Sequence, residues 1–240
     1  MTKVKDKTNK NSTEIKLGLL SFLAIIIYVI LPQFEIIPFQ IVNININDIP
    51  IFVKILYMVL FEILIISSIL LIFNKRLKDD LKVLKKNHKQ YFNTYIKYWF
   101  LILALMMFSN LIIMLINGGS IANNQELINE MFKKMPIYTL ISSVIYAPIC
   151  EELCFRLAVR NIIKNNILFI FISGLFFGSL HVITSYTGVM DLLYIIPYSI
   201  PGWVFAYIFV KSDNIYVPMG LHFMHNGILM SLQTFIFLFK

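Results

Sequence analysis

The chain has 240 residues, 58% of them hydrophobic, with a mean hydropathy of +0.77. That is far above a water-soluble globular domain, and several apolar runs approach the roughly 20 residues that cross a bilayer. The formal charge of +8 does not call for a nucleic-acid partner, because the basic residues gather in connections that topology places in the cytoplasm.

Met1 to Lys16 is polar and lysine-rich, and the apolar stretch after it has no small-x-small cleavage site. Leu17 onward therefore reads as a retained first span and not as a removed leader. Hydrophobic patterning predicts seven spans, at about Leu17–Ile37, Ile51–Phe73, Tyr98–Ile116, Pro136–Ile162, Ile167–Ile183, Asp191–Val210 and Ile215–Phe239. Five lysines precede Leu17, and Lys75–Lys97 carries eight basic residues against Asp79 and Asp80. Arg156, Arg160 and Lys164 flank the fourth-to-fifth turn, and Lys211 sits in the sixth-to-seventh. The alternate connections are poor in Lys and Arg apart from Lys133 and Lys134, which predicts a cytoplasmic N-terminus and an external C-terminus. Lys75–Lys97, with Leu77, Leu81 and Leu84 at helical spacing, reads either as an interfacial helix on the anionic leaflet or as a solvated basic loop. Pro148, Pro197, Pro201 and Pro218 fall in or beside spans, and three of them predict local breaks in the last two. The expected fold is all-α, a polytopic bundle of about seven transmembrane helices forming one membrane domain.

Three polar sets interrupt these apolar segments. Glu151, Glu152 and Arg156 lie in the fourth span, where a charged side chain costs about 3 kcal/mol or more. Glu152 and Arg156 are one helical turn apart, acid before base, which favours an ion pair. Glu151 is rotated about 100° away and stays available. His181 follows Phe177 by four positions, and Asn226 follows His222 by four. Counting from a hairpin turn at Asn165–Asn166 brings Glu151 and His181 to one depth, roughly 22 Å from the turn. His222 and Asn226 come within reach of the same level. His225 is expected to point elsewhere, as a packing or interfacial residue. Cys150 and Cys154 read as small buried apolar residues.

This set suits hydrolysis. A glutamate and a histidine can deprotonate water, while a second histidine and an amide stabilise an oxyanion. The alternative is a divalent metal such as zinc on Glu151, His181 and His222 with an open water position, although no His-Glu-x-x-His run is present. Sequence leaves the two mechanisms open.

The ordered trio Glu151-Glu152-x-x-x-Arg156, Phe177-x-x-x-His181 and His222-x-x-x-Asn226 resembles the three motifs of the CAAX protease and bacteriocin-processing family, over roughly Tyr138 to Leu232. Those proteins are membrane-embedded proteases related to the Ras-converting CAAX endopeptidase. The resemblance implies that Glu151 and His181 activate a water and that His222 and Asn226 form an oxyanion hole, with Glu152, Arg156 and Phe177 in support. It divides the chain into residues 1–135, an N-terminal cytoplasmic tail with three spans, and 136–240, a four-helix catalytic core. It carries no certain cofactor; a divalent metal such as zinc stays open. The partners it implies are the lipid bilayer and a peptide or membrane-protein substrate. Small size and high Ile, Lys and Asn content suggest a bacterial cytoplasmic-membrane member. Relatives of that kind are linked to bacteriocin self-immunity and peptide-pheromone maturation. The competing expectation is a non-catalytic membrane scaffold with the same fold.

Overall fold

The computed structural model describes residues 2–239, and all regular structure among them is helical. Helix α1 (Thr2–Ile30) leads through a 3-10 turn to the short α2 (Ile37–Ile41). There follow α3 (Ile51–Ile116), α4 (Asn123–Lys134), α5 (Pro136–Ile162), α6 (Asn166–Ile183), α7 (Ile195–Ser212) and α8 (Tyr216–Leu238). Five segments are long and apolar enough to cross a membrane: Ser12–Ile41, α3, α5, α6 and Val189–Ser212. Helix α8 has the length as well, 23 residues or about 35 Å, with its hydropathy lowered by His222, His225 and Asn226. Leu71, Leu115, Ile137 and Ile167 are all largely exposed on the outer face. Such a surface belongs against lipid, and the chain is an integral membrane protein.

The second and third expected spans are parts of one unbroken helix, so the basic connection between them is not a loop. A straight α3 would be about 100 Å long. Glu62, however, lines a cavity with Asn124, and Ile113 packs with Ala122 and Tyr194. Both positions therefore reach the end of the molecule where α7 begins. Asp80, between them, lies at the other end of α7. Its carboxylate accepts from the Ile215 N–H at 2.9 Å, and its carbonyl accepts from Asn214 Nδ2 at 2.7 Å. Arg76 reaches the same turn, donating to the carbonyl and carboxylate of Asp213. Helix α3 therefore bends in the basic stretch between Asp80 and Tyr95. Beyond the bend Tyr95, Trp99 and Ile102 pack against Phe205, Ile208 and Leu221.

Helices α6 and α7 approach most closely. A Cβ on Gly174 would lie 2.6 Å from Trp203 Cγ, and one on Gly178 would lie 2.7 Å from the Ile195 carbonyl oxygen. Gly202 faces Gly174 across the same seam. Small residues let two membrane helices touch backbone to backbone, where lipid supplies no hydrophobic drive for association.

Of the expected breaks in the last two spans, the sixth shows a 3-10 stretch at Val189–Tyr194 just before Pro197, and the last is unbroken. Pro201 sits inside a continuous α7, while Pro197 and Pro218 fall in first turns, where their missing N–H costs nothing. The other irregularities lie in α5, which passes through two π-helical stretches, Ser142–Tyr146 and Glu152–Ala158. Helix α1 packs along the second of these. Cys154 Sγ meets the Ala24 carbonyl at 3.5 Å, and Asn161 donates to Ser21 Oγ at 3.0 Å.

Candidate active site

The first π stretch has a cause in the sequence. Ala147 N–H bonds to the Ser142 carbonyl, five residues back. In that register the Ser143 carbonyl would be met by the N–H of residue 148, and Pro148 has none. The freed carbonyl accepts from Asn226 Nδ2 at 2.8 Å, which pins the asparagine and leaves its second amide hydrogen uncommitted. In the second stretch the Phe155 carbonyl is met by Ser173 Oγ at 2.6 Å, tying α5 to α6.

Glu152 and Arg156 are both 0% exposed, with Nε and Oε2 3.1 Å apart. The guanidinium lies over the rings of Phe177 at 4.7 Å and Phe205 at 5.6 Å, so aromatic faces supply much of what water would. The other Glu152 oxygen stands 2.9 Å from His222 Nδ1. A carboxylate paired with arginine can only accept, so this ring nitrogen carries a proton.

His181 is fixed with equal definition. Its Nδ1 lies 2.8 Å from the Phe177 carbonyl oxygen. A carbonyl cannot donate, so Nδ1 holds the hydrogen, and Nε2 of the neutral ring is a lone pair. The ring is held between Phe177, with centroids 4.5 Å apart, and Tyr198, stacked at 5.1 Å. Its Nε2 is 4.0 Å from Glu151 Oε1, while Glu151 Oε2 is 3.7 Å from His222 Nε2. Both are too long for direct hydrogen bonds. The donor that does reach Glu151 is Tyr28 of α1, its hydroxyl 3.1 Å from Oε1.

Glu151, His181, His222 and Asn226 all line one cavity of about 300 Å³. Glu151 and His181 also face a second cavity of about 320 Å³, bounded by Tyr28, Glu62 and Tyr138. Glu62 is held there by Tyr138 and Ser142 at 2.9 and 2.6 Å. The four residues of the sequence reading thus converge, and Glu152, Arg156 and Phe177 lie directly behind them. His225 departs from its expectation: it lines the 300 Å³ cavity, because positions 222, 225 and 226 share one helix face. Tyr28 and Tyr198 escaped the sequence reading, since nothing marks a tyrosine in an apolar span as a site residue. Pro148 was legible, yet its consequence depends on the π register. Among the described residues no group of three or more His, Cys, Asp or Glu side chains is disposed to hold a metal ion. Glu151 directs its two oxygens at different histidines, and Nδ1 of His222 is taken by Glu152.

A polytopic helical bundle that gathers a buried glutamate–histidine cluster at a cavity, on a π-distorted span, has the make-up of a membrane-embedded active site. Residues 133–228, two fifths of the chain, match the family model for type II CAAX prenyl endopeptidase, Rce1-like. It is 27% identical to the membrane-embedded CAAX protease MroQ of Staphylococcus aureus over 225 residues, 89% of this chain and 88% of that protein. It is also 27% identical over 118 residues to YdiL of Bacillus subtilis, described as a candidate membrane peptidase. The UPF0177 protein YvdC of Lactococcus lactis aligns over 128 residues at the same identity. These alignments cover 48% and 52% of the chain, and 45% and 47% of those two relatives, so the chain spans about half their length. No solved structure matches the chain.

Proposed function

We propose that the chain is an intramembrane endopeptidase that hydrolyses a peptide bond in a membrane-associated peptide or protein. Glu151 and His181 activate the water, and His222 with Asn226 stabilises the oxyanion. The observation that carries this reading is the Glu151–His181 pair: an acceptor nitrogen, its tautomer set by the Phe177 carbonyl, facing a carboxylate across 4.0 Å at the wall of a cavity. A water held by both gives its proton to them as its oxygen attacks the carbonyl carbon, and the same proton then returns to the departing amine. The carbonyl oxygen that becomes negative would meet the free amide hydrogen of Asn226. His222 can add an Nε2–H when its ring carries both protons. Processing of a bacteriocin or pheromone-like peptide is the finer form of the reading, supported by the family resemblance alone.

The test compares membrane and secreted peptides from cells expressing the wild type, Glu151→Gln or His181→Gln at matched abundance. At least one cleavage product should fall 100-fold or more in both variants, the scale of a lost general base. In the purified protein, 1,10-phenanthroline should leave the cleavage rate within about twofold. Unchanged products in both variants would make the chain a scaffold, and zinc-restored loss under phenanthroline would replace the metal-free route.

A further inference from the structure

The 300 Å³ cavity has a character of its own beyond the four reactive residues. Its apolar wall includes Met106, Ile128 and Leu229, and its polar wall includes the amides of Asn124, Gln125 and Gln233. Among its described lining residues Glu151 is the sole carboxylate, and neither lysine nor arginine contributes. An anionic side chain entering this space would lose its hydration with no counter-charge to replace it, and the one carboxylate a cationic side chain could meet is the reactive Glu151. A peptide main chain, by contrast, brings one N–H and one carbonyl per residue, and neutral amides can meet both.

His225 adds a second and independent observation. It is 5% exposed and lines this cavity, and neither ring nitrogen has a hydrogen-bond partner: Nδ1 is enclosed, which leaves Nε2 as the accessible one. Buried polar atoms are almost always paired, so an unpaired one beside a reactive cluster asks what normally meets it. His222 and Asn226, on the same helix face, are both committed to partners in the protein. His225 is not.

Resting on the endopeptidase reading, we infer that this cavity is the subsite for an uncharged, apolar stretch of substrate next to the scissile bond, and that His225 hydrogen-bonds the main chain of that stretch. The substrate must be unwound there, since a helical segment would keep its carbonyls and N–H groups to itself. His225 makes contact with substrate but takes no proton from the water.

The experiment uses the full chain in lipid nanodiscs and two fluorescent dodecapeptides. One has a central Leu-Ala-Val-Gly block, and the other has Lys and Glu in that block. Binding is read by anisotropy in a Glu151→Gln background, which prevents turnover, with empty nanodiscs as the blank. The uncharged peptide should bind at least tenfold more tightly than the charged one. Adding His225→Phe, which keeps a ring and removes the nitrogen, should weaken the uncharged peptide about tenfold, the worth of one hydrogen bond. His225→Gln should restore it to within threefold, which a packing role would not produce. In the Glu151-containing protein His225→Phe should raise KM by the same factor and change kcat less than threefold. Equal binding of the two peptides, absence of binding by either, or a His225→Phe protein that binds as the parent does would each overturn the proposal. Binding as expected without any cleavage by the wild type would instead sink the endopeptidase reading and leave the subsite standing.

Discussion

Fixing one nitrogen of an imidazole decides what the other can do, and both site histidines are fixed this way. His181 is held through a carbonyl of its own helix, so its free nitrogen accepts; His222 is held through Glu152. Behind them the Arg156–Glu152 pair is fully buried, with both Arg156 terminal nitrogens lacking hydrogen-bond partners. Such a pair holds geometry more than it adds stability. Removing one partner leaves an uncompensated charge and costs about 3–5 kcal/mol, whereas replacing both with apolar groups can be neutral. Arg156→Met should accordingly lower the thermal midpoint in detergent sharply, and Glu152→Met with Arg156→Met should recover most of it. The double variant should still lose activity, because His222 would no longer have an acceptor on Nδ1. Equal destabilisation by the single and double changes would show that the charges, as a pair, matter to folding.

The elements act through their irregular positions. Pro148 removes one N–H from α5, and the carbonyl it leaves open holds Asn226 from α8. Pro148→Ala supplies that N–H again and lets α5 satisfy itself. The expected outcome is a protein at least as stable as the parent, since a helical proline is removed, with cleavage reduced tenfold or more because Asn226 is released. Loss of stability in step with activity would refute the link. The seam between α6 and α7 makes a different demand. His181 and Phe177 are carried on α6, while Tyr198, stacked on His181, and Phe205, which shares the Arg156 guanidinium with Phe177, lie on α7. Gly178→Leu would drive a side chain into the Ile195 carbonyl and the Ser199 side chain. It should separate the helices, lower the thermal midpoint and abolish activity, while Gly220→Ala, with open space around it, should do neither.

At the scale of the whole molecule, the spans and the polar quartet could be read from sequence because both depend on local periodicity. Charges four apart on an apolar helix signal a pair wherever the helix sits, and equal distances from a turn brought Glu151 and His181 to one depth. What stayed hidden depends on contacts between distant segments. Tyr28 matters only because α1 lies along the second π stretch of α5. The lysine-and-leucine pattern of Lys75–Lys97 allows an interfacial helix or a solvated loop but does not reveal that α3 runs through it unbroken, docked by Asp80 on the α7–α8 turn. That docking also carries a topological consequence. Lys78, Lys82, Lys85, Lys86 and Lys89 are exposed on the stretch held beside the α7–α8 turn, and each lysine near an anionic leaflet contributes about 1 kcal/mol of attraction. The basic bend of α3 should therefore face the cytoplasm together with the N-terminus. A cysteine in place of Lys86 should react with a membrane-impermeant maleimide only in inverted vesicles, and one in place of Ser120 only in intact cells. Cys150 and Cys154, both buried, should stay silent in either. The reverse labelling pattern would turn the whole bundle over and place Glu151, which lies with His181 and Glu62 toward the end where α7 begins, nearer the cytoplasmic face.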